Sequence, residues 1–92
     1  MDNFKLGMEI NITGLSKKST ISVPYHILEN AFGKPTIIEN NTYAIWKLRF
    51  EDTQESIAIL NDNDNYLETN KWFVKAGNSK GIGRVKNILS SI

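Results

Sequence analysis

The chain has no cysteine, two prolines, one histidine and no apolar run longer than four residues. Without cysteine there is no disulfide, no thiol nucleophile and no thiolate-bound zinc or iron–sulfur centre. His26 has no second imidazole to form a metal pair with, and no Gly-x-Ser-x-Gly element supplies a serine nucleophile. Runs such as residues 57–60 fall far short of the ~20 apolar residues that cross a bilayer, and nothing reads as a secretion signal. No membrane partner is expected, and the expected setting is cytoplasmic.

Ninety-two residues suit one small domain, and two Trp, three Tyr and four Phe suffice for a single core. The formal net charge of +1 is unevenly spread. Residues 51–70 hold Glu51, Asp52, Glu55, Asp62, Asp64 and Glu68 with no Lys or Arg. Residues 71–92 hold Lys71, Lys75, Lys80, Arg84 and Lys86 with no acid. Two readings stay open: acidic turns that balance a basic terminus, or a dipolar surface with one anion-attracting side. Eleven Asn, twelve Ile and nine Lys, all with A/T-rich codons, point to an A/T-rich genome.

Phe4, Leu6, Met8, Ile10 and Ile12 alternate with polar residues or glycine, which predicts a half-buried strand ended by Gly14. Residues 16–19 read as a turn and residues 20–23 as a short extended piece. Pro24 suits a helix start, Tyr25, Ile27, Leu28, Ala31 and Phe32 form an apolar stripe, and Gly33 and Pro35 stop it. Asn40 and Asn41 form a turn before a strand over residues 42–50, with Ala44, Trp46, Leu48 and Phe50 on one face. Residues 51–54 connect it to a second strand over residues 55–60, as in an antiparallel hairpin. A third strand over residues 71–76 puts Trp72, Val74 and Ala76 inward and Lys71, Phe73 and Lys75 outward. Ile82, Val85, Ile88, Leu89 and Ile92 then recur at helical spacing, with Ile92 docking the helix to its end. The expected fold is α+β: a single small domain of order β-α-β-β-β-α, its helices packed on one face of an antiparallel sheet.

Residues 77–83 hold three glycines where a strand runs into that closing helix. A helix N-terminus favours an anion, and Gly77, Asn78, Ser79, Lys80, Gly81 and Arg84 could surround one with backbone N–H groups, a hydroxyl and two cations. The spacing fits neither the P-loop nor the dinucleotide fingerprint. A tight strand-to-helix turn is the plainer reading. The second candidate is the outward sheet face, where Tyr43, Lys47 and Arg49 would lie beside Phe73 and Lys75. Aromatics interleaved with bases can stack nucleobases and hold phosphates. A solvated face or a dimer interface are the alternatives.

The loop with Asp62 and Asp64 fails as a calcium site, because Tyr66 stands where an oxygen ligand is due and no glycine or final glutamate follows in register. His26 reads as a helix-surface residue. Carboxylate pairs occur only in polar turns, where nothing raises a pKa toward a catalytic range. No catalytic residue, metal site or cofactor is expected, and a non-enzymatic binding protein is the expected class.

Several elements recur together: Gly14 and Ile21, then Tyr25, Leu28, Ala31-Phe32-Gly33-Lys34-Pro35, then Trp46, Leu48, Phe50 and Asp52, the Ile57-Ala58-Ile59 strand, and Lys71-Trp72-Phe73-Val74 before Gly77. On these residues, from Ile12 to about Leu89, the chain resembles a loosely defined group of small phage and viral accessory proteins. Such proteins often carry His-Ile-Gly-Gly after the late Trp, where this chain has Phe73-Val74-Lys75-Ala76, and a Tyr where it has Leu60-Asn61. The resemblance implies a virus-encoded protein that blunts host defence, either by sequestering a nucleotide-like signal or by masking a host protein or nucleic acid.

The leading expectation is a homo-oligomeric protein that captures a phosphorylated, nucleotide-type anion without turnover. Lys80, Arg84 and the Gly77–Gly81 backbone would hold phosphate, and Trp72, Phe73 or Tyr43 would stack on a base. The alternatives are an inhibitor of a host protein acting through residues 51–70 or the sheet face, and a weak single-strand binder.

Overall fold

The computed structural model describes residues 3–62 and 65–91. Ile92 and Asp64, assigned above to the helix end and the acidic loop, lie outside the described residues. The elements are β1 (Phe4–Leu6), β2 (Ser16–Ile21), α1 (Tyr25–Phe32), β3 (Ile37–Glu39), β4 (Tyr43–Phe50), β5 (Ser56–Asn61), β6 (Trp72–Ala76) and α2 (Ser79–Ser90). All strand pairs are antiparallel, in the order β1-β4-β5-β6-β2, with β3 also paired to β4. The α+β expectation holds. The chain has more strands than the order predicted.

The core forms on one face, because period-two patterning sends alternate side chains there. Ala44, Trp46, Leu48 and Phe50 of β4 are fully buried, as are Ile57 and Ile59 of β5 and Trp72, Val74 and Ala76 of β6. Leu28 and Phe32 of α1 and Ile82 and Val85 of α2 close over them in the same cluster. Two indoles hold α1 from both sides of its span. Trp72 Nε1 donates to the Val23 carbonyl before the helix (3.0 Å), and Trp46 Nε1 donates to the Gly33 carbonyl after it (2.9 Å). Gly33 ends the helix with φ at 86°, a conformation only glycine adopts without strain, and its N–H bonds the Glu29 carbonyl.

Three expectations need correction. The long first strand is only three residues, since β1 covers residues 48–50 of β4 while β3 takes residues 43–45 on the same edge. Residues 8–12 add no rungs to that ladder, and the chain turns away where Ile10 N–H bonds the Gly7 carbonyl. The turn expected over residues 16–19 is part of β2, paired to β6 from Ser16–Ala76 to Ile21–Trp72 with an irregularity between Lys17 and Ser19. Its polar composition is that of an edge strand, where lysines and a bulge discourage further pairing. The third correction concerns the glycines. Only Gly77 lies before α2, while Gly81 and Gly83 lie inside it, because Asn78 is the cap and its Oδ1 accepts from Lys80 N–H (2.9 Å).

The two helical glycines have opposite surroundings. A Cβ at Gly83 meets nothing within 4 Å, so Gly83→Ala should stabilise by about 0.5–1 kcal/mol through helix propensity. A Cβ at Gly81 would run into Ile57 Cδ1, and Ile57 is fully buried. Overpacking costs about 1–3 kcal/mol and outweighs the ~1 kcal/mol propensity gain. Urea midpoints of the two variants should shift in opposite directions. A common upward shift would show that α2 does not sit this close to β5.

Candidate functional site

The structure sorts the candidate residues onto two sides of the sheet. α2 packs on the core face, while Tyr43, Arg49, Phe73 and Lys75 alternate with buried residues and point away from it. The helix start and the open face are therefore separate surfaces.

At the helix start, Gly77, Asn78, Ser79 and Lys80 are exposed. Arg84 is not an open cation. Its Nη1 donates to Asp52 Oδ1 at 2.7 Å, and its guanidinium lies 4.0 Å from the Phe50 ring centroid. The hydrogen bond from Arg84 holds the Asp52 carboxyl below its ordinary value of 3.8. Glu55 Oε2 also sits close to Gly81, 3.3 Å from where a Cβ would be. Two carboxylates of the β4–β5 connection thus lie against the first two turns of the helix, Asp52 on Arg84 and Glu55 beside Gly81.

This pair sets a pH dependence. A carboxyl with a depressed folded pKa stabilises the fold above its unfolded value and loses that contribution as pH falls through the folded one. Asp52→Asn should therefore lower Tm at neutral pH, and the gap to the parent should close on acidification below about pH 4. A gap that persists unchanged in acid would rule out the Asp52 carboxylate as its source.

Trp72 cannot stack on a ligand. It is fully buried, packed edge-to-face on Trp46 at 5.3 Å, and its one polar atom is bonded to Val23. Inward alternation beside Phe73 was the signal for this, and the two adjacent aromatics divide between core and surface.

The open face is built in rows by strand register. Lys17 pairs with Lys75, Lys75 with Ala58 and Ala58 with Lys47, so three lysines share one backbone row across β2, β6, β5 and β4. Ala58 is fully buried although it points this way, between Lys47 and Lys75 in the register. On one side lies the row of Arg49 between Lys5 and Ser56. On the other lies Phe73, between Thr20 and Leu60. Lys17 Nζ stands 4.2 Å from the Phe73 ring centroid and Lys71 Nζ 5.5 Å from it. Tyr43 is at the far end of β4, opposite Glu39.

Some of this charge is already engaged. Lys5 is 4.0 Å from Glu9, both exposed, and Lys47 Nζ donates to the Met8 carbonyl at 3.2 Å. The Arg49 Nε is buried with no hydrogen-bond partner among the described residues. Sequence reasoning missed Lys17 and Lys5. Lys17 was hidden because its strand partner lies 58 positions away (Lys75), beyond any local pattern.

No convergence of three His, Asp or Glu side chains suited to a metal occurs among the described residues. Burial and the adjoining Glu29 carboxylate, which accepts from the Tyr25 hydroxyl at 2.6 Å, push the Tyr25 pKa up. That hydroxyl lies on α1, where Tyr25 packs on Trp46 and Tyr66, apart from the open face. Compared with protein-family models, curated proteins and solved structures, the chain matches none.

Proposed function

We propose that the protein captures, without chemical turnover, an anionic ligand that carries both phosphate and a nucleobase, and that the open sheet face holds it. The observation that carries this reading is the Phe73 ring flanked by Lys17 and Lys71, with Lys75 in the adjoining row. A base that stacks on this ring displaces an ammonium group worth about 0.5–1 kcal/mol at an exposed site. Stacking returns about 1–3 kcal/mol per base, and the displaced ammonium moves onto phosphate. Exchange therefore favours the ligand. Tyr43 and Arg49 extend the same face, whereas Arg84 keeps its carboxylate partner. A virus-encoded role in sequestering a host signal, expected from the resemblance, belongs to the same proposal.

Thermal unfolding against mono-, di- and cyclic nucleotides, ADP-ribose and a short single strand tests the reading. A ligand at a hundred times its Kd adds about 2.7 kcal/mol, a Tm rise of several degrees for a domain of this size. The double variant Phe73→Ala/Lys75→Ala should lose the rise, and Lys80→Ala/Arg84→Ala should keep most of it. A Tm indifferent to the whole panel would overturn capture and direct the search to a protein partner.

A further inference from the structure

The open face sets more cations in one row than a single phosphate group can span. Lys17 and Lys75 are direct cross-strand partners, and Lys47 stands two strands further along the same row. At ~4.8 Å per strand the row spans about 14 Å between the outer Cα atoms. Like charges set side by side on a sheet repel. A single phosphate group reaches one or two of these lysines. A chain of phosphates can follow the row.

We infer that the face binds single-stranded nucleic acid, the strand crossing the sheet over Lys17, Lys75 and Lys47 with a base stacked on Phe73. This rests on the capture reading and makes its ligand a polymer. Arg49 lies on the same face two residues along β4 from Lys47, and its buried Nε has no acceptor among the described residues. Its positive charge lies one residue row from the lysines and adds to the attraction of this end of the face for phosphate. Unpaired bases are required, because a duplex hides the base planes that Phe73 would stack upon.

Charge complementarity also decides against a second copy of the chain. A symmetric pairing of two such faces sets lysine rows against each other, and the β2 edge is guarded by Lys17 and the irregularity beside it. Ammonium groups and an aromatic plate engage phosphate and base plane, which DNA and RNA share. The face should therefore be indifferent to the sugar.

Fluorescence anisotropy with labelled oligothymidylate and oligouridylate of about two to twelve nucleotides tests this. Affinity should rise at least about tenfold from dinucleotide to the longest strand, equally for both sugars. The logarithm of the binding constant should fall against log salt with a slope of about −2 to −3, from ~0.7 per phosphate and three or four engaged cations. Lys17→Ala/Lys75→Ala should flatten that slope by about 1.4. Phe73→Ala should weaken binding by about tenfold, and Phe73→Trp should restore it.

Equal affinity for dinucleotide and long strand would overturn the polymer inference and leave capture standing. Binding of neither mononucleotide nor strand would overturn both. A duplex bound as tightly as a single strand would overturn the inference alone. So would a lysine-dependent dimer in sedimentation, which would make the face a contact between copies. Unfolding midpoints of each variant, read alongside, separate lost binding from lost fold.

Discussion

Trp72→Ala should cost about 3–5 kcal/mol, the range for truncating a buried tryptophan. A chain of 92 residues has a total stability of about 5–14 kcal/mol at the usual increment per residue, so the variant should sit near the edge of folding. Trp72 is fully buried, and its removal opens a cavity next to Trp46, whose edge-to-face contact is lost as well. It also takes away the bond to Val23 at the entry to α1. Trp46 still holds the exit through Gly33, so the helix should loosen from its first turn. Trp72→Phe keeps most of the volume but not the N–H and should lose about 1–2 kcal/mol. Phe73→Ala, one residue on and facing solvent, should move the denaturant midpoint little. If Trp72→Ala unfolded at the parent's midpoint, the core assignment would fall and a ligand-facing Trp72 would return.

That contrast between adjacent aromatics shows what the sequence made legible. Alternation depends only on the residue's own strand, so the inward and outward faces of β4 and β6 could be read directly. The α1 boundaries were equally local, since Pro24 and Gly33 act on the backbone beside them. β2 could not be read this way. Its strand character comes from pairing with β6, more than fifty positions later, and residues 16–19 are those of a turn, with only Thr20 and Ile21 reading as extended. β3 is a three-residue strand whose partner lies across Asn40 and Asn41, both left-handed (φ 52° and 54°). The asparagines announced the turn, but too few residues preceded them to show an alternation.

The candidate site divides along the same line. Tyr43, Lys47, Arg49, Phe73 and Lys75 share a face because strand parity puts them there, and the register then aligns their rows. Arg84 depended on tertiary placement. Its charge invites an anion when read beside Gly81 and Gly83, yet the β4–β5 turn brings Asp52 to it from 32 positions upstream. Helix-start chemistry read from sequence alone misses a carboxylate supplied by another element. On the open face no carboxylate is paired with Lys17, Lys47 or Lys75 among the described residues, and the groups that engage Lys17 and Lys47 are an aromatic ring and a backbone carbonyl.

Asn61→Leu should cost about 2 kcal/mol, and Asn61→Asp more. Asn61 is buried on the core face at the end of β5, 1 % exposed, where an apolar residue would match the pattern. Its carboxamide continues the β4–β5 pairing past the last ladder partners, Ile45 and Leu60. Oδ1 accepts from Ala44 N–H at 3.0 Å, and Nδ2 donates to the Thr42 carbonyl at 2.9 Å. Leucine leaves the buried Ala44 N–H without that acceptor, a loss of about 1–3 kcal/mol. The Thr42 carbonyl keeps the Tyr66 N–H, so its loss is smaller. Aspartate preserves the acceptor but sets a buried carboxylate oxygen against that carbonyl, and an uncompensated buried charge costs about 3–5 kcal/mol. Its folded pKa must then lie above the unfolded value, so stability should be regained as pH falls and lost as it rises. Leucine shows no such dependence. Urea unfolding of both variants across pH would separate the two causes, and identical pH profiles would remove the carboxamide from its bridging role. The same bridge sets where β4 begins and hence the seat of Tyr43. Asn61→Leu should therefore also weaken ligand capture at the Tyr43 end of the face, while Lys75 and Phe73 keep their register.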